Sequence, residues 1–116
     1  MNSVYIFIIT EESDHFSFSE QLKKLLNIGD SNPSGFAQER ENSYLGEYFS
    51  FEFFAMTLNI YANEDEAYMG HHEDYPICIY ADSDIDVDRQ VFHNVILFLS
   101  KIIKENFVNS EIALLY

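Results

Sequence analysis

Cysteine, tryptophan, glycine and basic side chains are all scarce in this chain. Cys78 is the single cysteine, which excludes an intrachain disulfide and any cysteine-based metal cluster. It stands in an apolar run and reads as a small buried hydrophobe rather than a nucleophile. With no Trp and only 4 Gly, a built substrate pocket is not suggested. A glycine-rich phosphate loop, a G-x-S-x-G elbow and an H-E-x-x-H pair are absent. Carboxylates are plentiful, but none stands at a recognisable spacing from a nucleophile or an oxyanion donor, so no enzyme activity and no cofactor are expected. No apolar stretch approaches the roughly 18 residues that a membrane span requires. The apolar run Val4 to Ile9 has no basic residue before it and Glu11, Glu12 and Asp14 after it, the wrong flanks for a secretory signal. The cytoplasm is the expected location.

Lys and Arg together number 6 against 20 acidic residues, for a formal net charge of −14. A field of that sign repels nucleic acid and anionic membranes and attracts basic proteins or cations. The charge sits on a folded body, because 47% hydrophobic residues, with 11 Phe and 8 Tyr, are too many for a disordered acidic tail. At 116 residues the chain fits one domain, residues 1–116, built around one core.

Ser3 to Thr10 is nearly continuous in Val, Ile, Tyr and Phe, as in an interior strand buried on both faces. Ser17-Phe18-Ser19-Glu20 fits a capping box, and Phe18, Leu22, Leu25 and Leu26 follow at helical spacing until Gly29, predicting a first helix over about 18–28. Asp30 to Asn42 has no sustained period and reads as a loop. Alternation then returns, with Phe49, Phe51 and Phe53 opposed to Ser50, Glu52 and Phe54, and a second run from Met56 to Ala62 suggests a hairpin, the preferred reading, or one long bent strand. Pro76 cannot donate a ladder bond and so marks the start of a strand, Ile77 to Tyr80. Asp86 or Asp88 can cap a second helix, whose broad apolar stripe combines Val91, Val95, Leu99 and Ile102 with Phe92, Ile96 and Ile103. It ends near Phe107, and Glu111 to Tyr116 adds a last strand. The expected fold is α+β, in the order β-α-β-β-β-α-β, with two helices on one face of a mostly antiparallel sheet.

Between Glu41 and Asp88 there is no Lys or Arg, yet the segment holds Glu41, Glu47, Glu52, Glu64, Asp65, Glu66, Glu73, Asp74, Asp82, Asp84, Asp86 and Asp88. The last nine fall in two loops flanking the strand around Ile77 to Ala81. One reading is an acidic surface that steers a basic partner; the other is a solvated surface that keeps a Phe-rich protein soluble. The run Asp82 to Asp88 has a passing likeness to a calcium loop. It carries Val87 where the turn needs Gly and His93 where a bidentate Glu belongs, and carboxylates complementing a helix N-terminus account for it more simply. His71 and His72 are neighbours without zinc-ligand spacing, so no metal is expected. With Tyr68 they read as contact groups inside acidic flanks, or as a plain surface loop. The candidate partner-binding residues are Glu64, Asp65, Glu66, Tyr68, His71, His72, Glu73, Asp74, Tyr75, Asp82, Asp84 and Asp86.

An acidic mid-chain loop leading into Asp74-Tyr75-Pro76-Ile77-Cys78-Ile79, with the closing strand Ile112-Ala113-Leu114-Leu115-Tyr116, resembles the small bacterial immunity proteins of contact-dependent growth inhibition and related polymorphic toxin systems. The likeness is one of size, charge and layout. It implies a cognate basic toxin domain, often a nuclease, bound one to one so that its nucleic-acid cleft is blocked, and no direct contact with nucleic acid or membrane. Carboxylates would stand in for phosphate oxygens, and Tyr68 or Tyr75 for stacked bases. Two other readings predict different partners: a nucleic-acid mimic acting on a host nuclease would bind several unrelated DNA-binding proteins, and an adaptor subunit would associate with itself or with a complex.

Overall fold

A computed structural model describes residues 2–11, 14–26, 38–42, 46–63, 74–84 and 86–116. Its elements are β1 (Ser3–Ile9), α1 (His15–Leu25), β2 (Gln38–Asn42), β3 (Gly46–Phe53), β4 (Met56–Ala62), β5 (Ile77–Ser83), α2 (Arg89–Asn106) and β6 (Glu111–Leu115). The six strands form one sheet in the order β2-β3-β4-β5-β1-β6, and every pairing is antiparallel. The α+β class holds, and the seven expected elements occur in the expected order. One more strand joins them. Gln38–Asn42, read from sequence as the end of a loop, pairs with β3 at the sheet edge. An edge strand is hydrogen-bonded on one side only and needs no apolar alternation to be held there, which is why Gln-Glu-Arg-Glu-Asn gave no signal.

Alternation sorts the sheet into two faces. Val4, Ile6 and Ile8, Phe49 and Phe51, Leu58 and Ile60, and Ile77, Ile79 and Ala81 are buried under Phe18 and Leu22 of α1 and Phe92, Ile96, Leu99 and Ile103 of α2. Both helices therefore lie on one side, where each hides its apolar stripe. β1 is interior as predicted, between β5 and β6, and Ile6, Phe7 and Ile8 are fully buried.

The helix starts show how local chemistry sets boundaries. The cap of α1, Asp14, lies three residues before the predicted one, Ser17. The Asp14 carboxylate accepts from Phe16 N–H at 3.1 Å and from the Ser17 hydroxyl at 3.1 Å, so Ser17 is a first-turn residue and not the cap. For α2, Asp88 is the cap, accepting from Gln90 N–H at 2.8 Å and Val91 N–H at 3.3 Å. The stripe of α2 is narrower than the sequence suggested: Phe92, Ile96, Leu99 and Ile103 are buried, whereas Val91 stays 53% exposed.

Candidate functional site

The face opposite the helices carries a different set of side chains. Its buried centre is Phe7, Tyr61 and Cys78, with Tyr5, Tyr48, Tyr75, Tyr80, Ala113 and Leu115 packed around them and no helix residue among them. The register explains the grouping. Tyr48 lies opposite Tyr61, Tyr61 opposite Cys78, Cys78 opposite Phe7, and Phe7 opposite Ala113. The next row runs Ser50, Asn59, Tyr80, Tyr5, Leu115. Directly opposed side chains have Cβ atoms about 5 Å apart, so each row is a continuous contact. Tyr61 donates its hydroxyl proton to Cys78 Sγ at 3.0 Å, and burial pushes the Cys78 thiol up to about 12. Such a thiol stays protonated and shielded, as expected of a structural cysteine. Burial, with smaller contributions from Tyr80 and Cys78, likewise raises Tyr5.

A third row ends this face: Glu52 opposite Thr57, Thr57 opposite Asp82, and Asp82 opposite Ser3. Glu52 and Asp82 are thus two strands apart, about 10 Å. β5 runs to Ser83, so Asp82 belongs to the strand, not to the loop in which the sequence reading put it. Burial and then the charge of Asp84 raise the Asp82 pKa. Neither Glu52 nor Asp82 joins an ion pair among the described residues. At the same end the β3–β4 hairpin turns through Phe54 (φ 48°) and Ala55 (φ 59°). Positive φ at both turn residues is the type I′ requirement that Asn-Gly usually meets, so a Phe-Ala pair is strained. The Ala55 carbonyl accepts from Asp84 N–H at 3.4 Å, fixing the turn to the acidic segment. Phe54, at the tip, is 65% exposed and rests edge-on against Phe53.

Of the predicted site residues, Asp82 and Asp84 come together here, with Asp86 two residues on and exposed. Asp74 and Tyr75 lie at the other end of β5, with Tyr75 against Phe7. Seven residue steps run from Tyr75, just before β5, to Asp82 near its end, about 23 Å. Glu64, Asp65, Glu66, Tyr68, His71, His72 and Glu73 lie outside the described residues. The sequence reading missed Glu52 and Phe54 as site members. Their signal was available: Phe54 breaks the alternation of β3 at the point where an exposed polar turn residue is expected. Among the described residues no three His, Cys, Asp or Glu groups converge on a point that could hold a metal ion, and no helix is long and apolar enough to cross a membrane.

A cleft of about 820 Å³ opens beside the acidic end, lined by Asn2, Ser3, Asp88, Arg89, Gln90, Phe92, His93 and Tyr116. His93 Nδ1 and the Tyr116 hydroxyl are 2.7 Å apart, so each satisfies the other, and Asp88 already holds the first free N–H groups of α2. Set against known protein families, characterised proteins and solved structures, the chain matches none of them.

Proposed function

We propose that this chain is an immunity-type binding protein that neutralises a basic toxin domain, most naturally a nuclease, by occupying its nucleic-acid-binding cleft in the cytoplasm. The observation that carries the reading is that Glu52, Asp82 and Asp84 stand at the same end of the sheet as a strained turn that leaves Phe54 exposed. Unpaired carboxylates steer a basic partner toward this end, with association reaching up to about 10⁸–10⁹ M⁻¹s⁻¹ at low salt. Charge alone gives little lasting affinity; an exposed aromatic with a fixed backbone supplies an anchor at low entropic cost. The strain supports the same reading, since a folding-optimised hairpin would carry Asn-Gly at its tip.

The test uses the domain encoded immediately upstream, where a polymorphic toxin would lie, purified as an inactive variant. Stopped-flow mixing should give an association rate that falls steeply with added NaCl. Glu52→Gln, Asp82→Asn, Asp84→Asn and Asp86→Asn together should lower it at least tenfold, while Phe54→Ser should chiefly speed dissociation. A complex whose rate ignores both salt and the four amides would move the interface elsewhere. Absence of any complex would remove the proposal.

A further inference from the structure

Charge and apolar exposure are not evenly shared along this chain. Residues 89–116 hold Arg89, Lys101 and Lys104 against Glu105 and Glu111, a net +1, so residues 1–88 carry −15. From Arg89 to Lys104, nearly the whole of α2, there is no carboxylate. The same 28 residues supply Val91, Leu97, Phe98, Val108 and Tyr116, five of the seven large apolar side chains exposed among the described residues. This near-neutral stretch of a strongly acidic protein is also the richest in exposed apolar side chains among the described residues.

Within α2 the exposure is patterned. The buried stripe is Phe92, Ile96, Leu99 and Ile103. Val91, Val95, Phe98 and Ile102 repeat that spacing one residue earlier, about 100° round the helix. Val91 and Phe98 are 53% and 51% exposed, and Val95 and Ile102 are half-buried. The His93 flank is turned toward Tyr116 beyond β6, so this second stripe lies on the other flank of the helix. Steps of four, three and four residues are those of a coiled-coil seam. They also read the same in both directions. Two antiparallel copies of α2 therefore match with Val91 opposite Ile102 and Val95 opposite Phe98.

We propose that a second copy of this chain docks on this stripe, giving a twofold dimer through antiparallel α2 helices. A basic partner has no electrostatic reason to choose the acid-free helix, whereas two chains of charge −14 repel each other least there. The antiparallel arrangement sets the two helix dipoles in favourable opposition, and a seam that matches itself is what a twofold axis requires. The stripe lies on the helix side of the sheet, and Glu52 and Asp82 on the other side, so each protomer keeps the acidic end free.

Sedimentation equilibrium of the purified full chain at about 100 μM, a concentration that populates a moderately stable dimer by mass action, should give twice the chain mass. Phe98→Glu and Val91→Glu should each sediment as single chains with unchanged far-UV circular dichroism. Leu97→Glu, which replaces an equally exposed apolar residue about 130° round the same helix, should leave the dimer intact. A wild-type protein of single-chain mass overturns the proposal. So does a mass that keeps growing with concentration, or equal loss of the dimer in Leu97→Glu and Phe98→Glu.

Discussion

Ser19 sits in the middle of α1 with its hydroxyl oxygen fully buried and without a hydrogen-bond partner among the described residues. A buried hydroxyl left unpaired costs its desolvation, and serine is a poorer helix former than alanine. Ser19→Ala should therefore raise stability by about 1 kcal/mol, seen as a higher urea midpoint with an unchanged slope. Tyr61 presents the opposite case, since its hydroxyl is buried and satisfied by Cys78. Tyr61→Phe should cost about 1 kcal/mol in the same assay. Cys78 also sets an alkaline limit. Its folded-state pKa of about 12 lies above the ordinary value of 9.0, so above pH 9 the unfolded chain loses this proton first. The stabilisation that Cys78 contributes is complete below that pH and is lost as pH rises toward 12, by at most about 1.4 kcal/mol per pH unit. Stability should begin to fall near pH 9 in the wild type but only above pH 10 in Cys78→Ala, where the raised Tyr5 and Tyr116 take over with the same sign.

The β3–β4 hairpin links a stability argument to the proposed interface. Left-handed φ costs a non-glycine residue about 1–2 kcal/mol, and Phe54 and Ala55 both adopt it. Replacing the pair by Asn-Gly should raise the urea midpoint by the equivalent of about 1–2 kcal/mol. If Phe54 anchors a partner, the same variant binds more weakly while folding more tightly; a variant that gains stability and keeps full affinity would clear Phe54 of that role. The hairpin was legible in the sequence because Phe49, Phe51 and Phe53 alternate against Leu58 and Ile60 across a short gap. Pro76 gave the start of β5 for the equally local reason that it lacks an N–H. The start of α1 was not legible, since Asp14 and Ser17 both have capping chemistry and only the packing of His15 and Phe16 beside Phe49 extends the helix back. The acidic site was half legible. Sequence located the carboxylates, but only the register from β3 through β4 to β5 puts Glu52 in one row with Asp82, and no local pattern encodes a pairing across three strands.

At the scale of the whole molecule, one variable acts on folding and on both proposed associations with predictable signs. A chain of charge −14 with a pI near 4.3 repels itself when folded. At 0.15 M salt that field reaches only about 8 Å, and at 0.01 M about 30 Å. Raising NaCl from low to physiological concentration should therefore raise the melting temperature, because the compact state suffers more from like charges than the expanded one does. Self-association through α2 should strengthen along the same series, since burial of Val91 and Phe98 is indifferent to salt while the repulsion between two acidic bodies is screened. Capture of a basic partner should weaken, because there the screened field is attractive. A salt series read by thermal melting, sedimentation and stopped-flow mixing on one preparation thus distinguishes the two surfaces without a mutation. Dimerisation that weakens with salt would mean that the contact is made by charge, and the apolar stripe on α2 would then not be its seam.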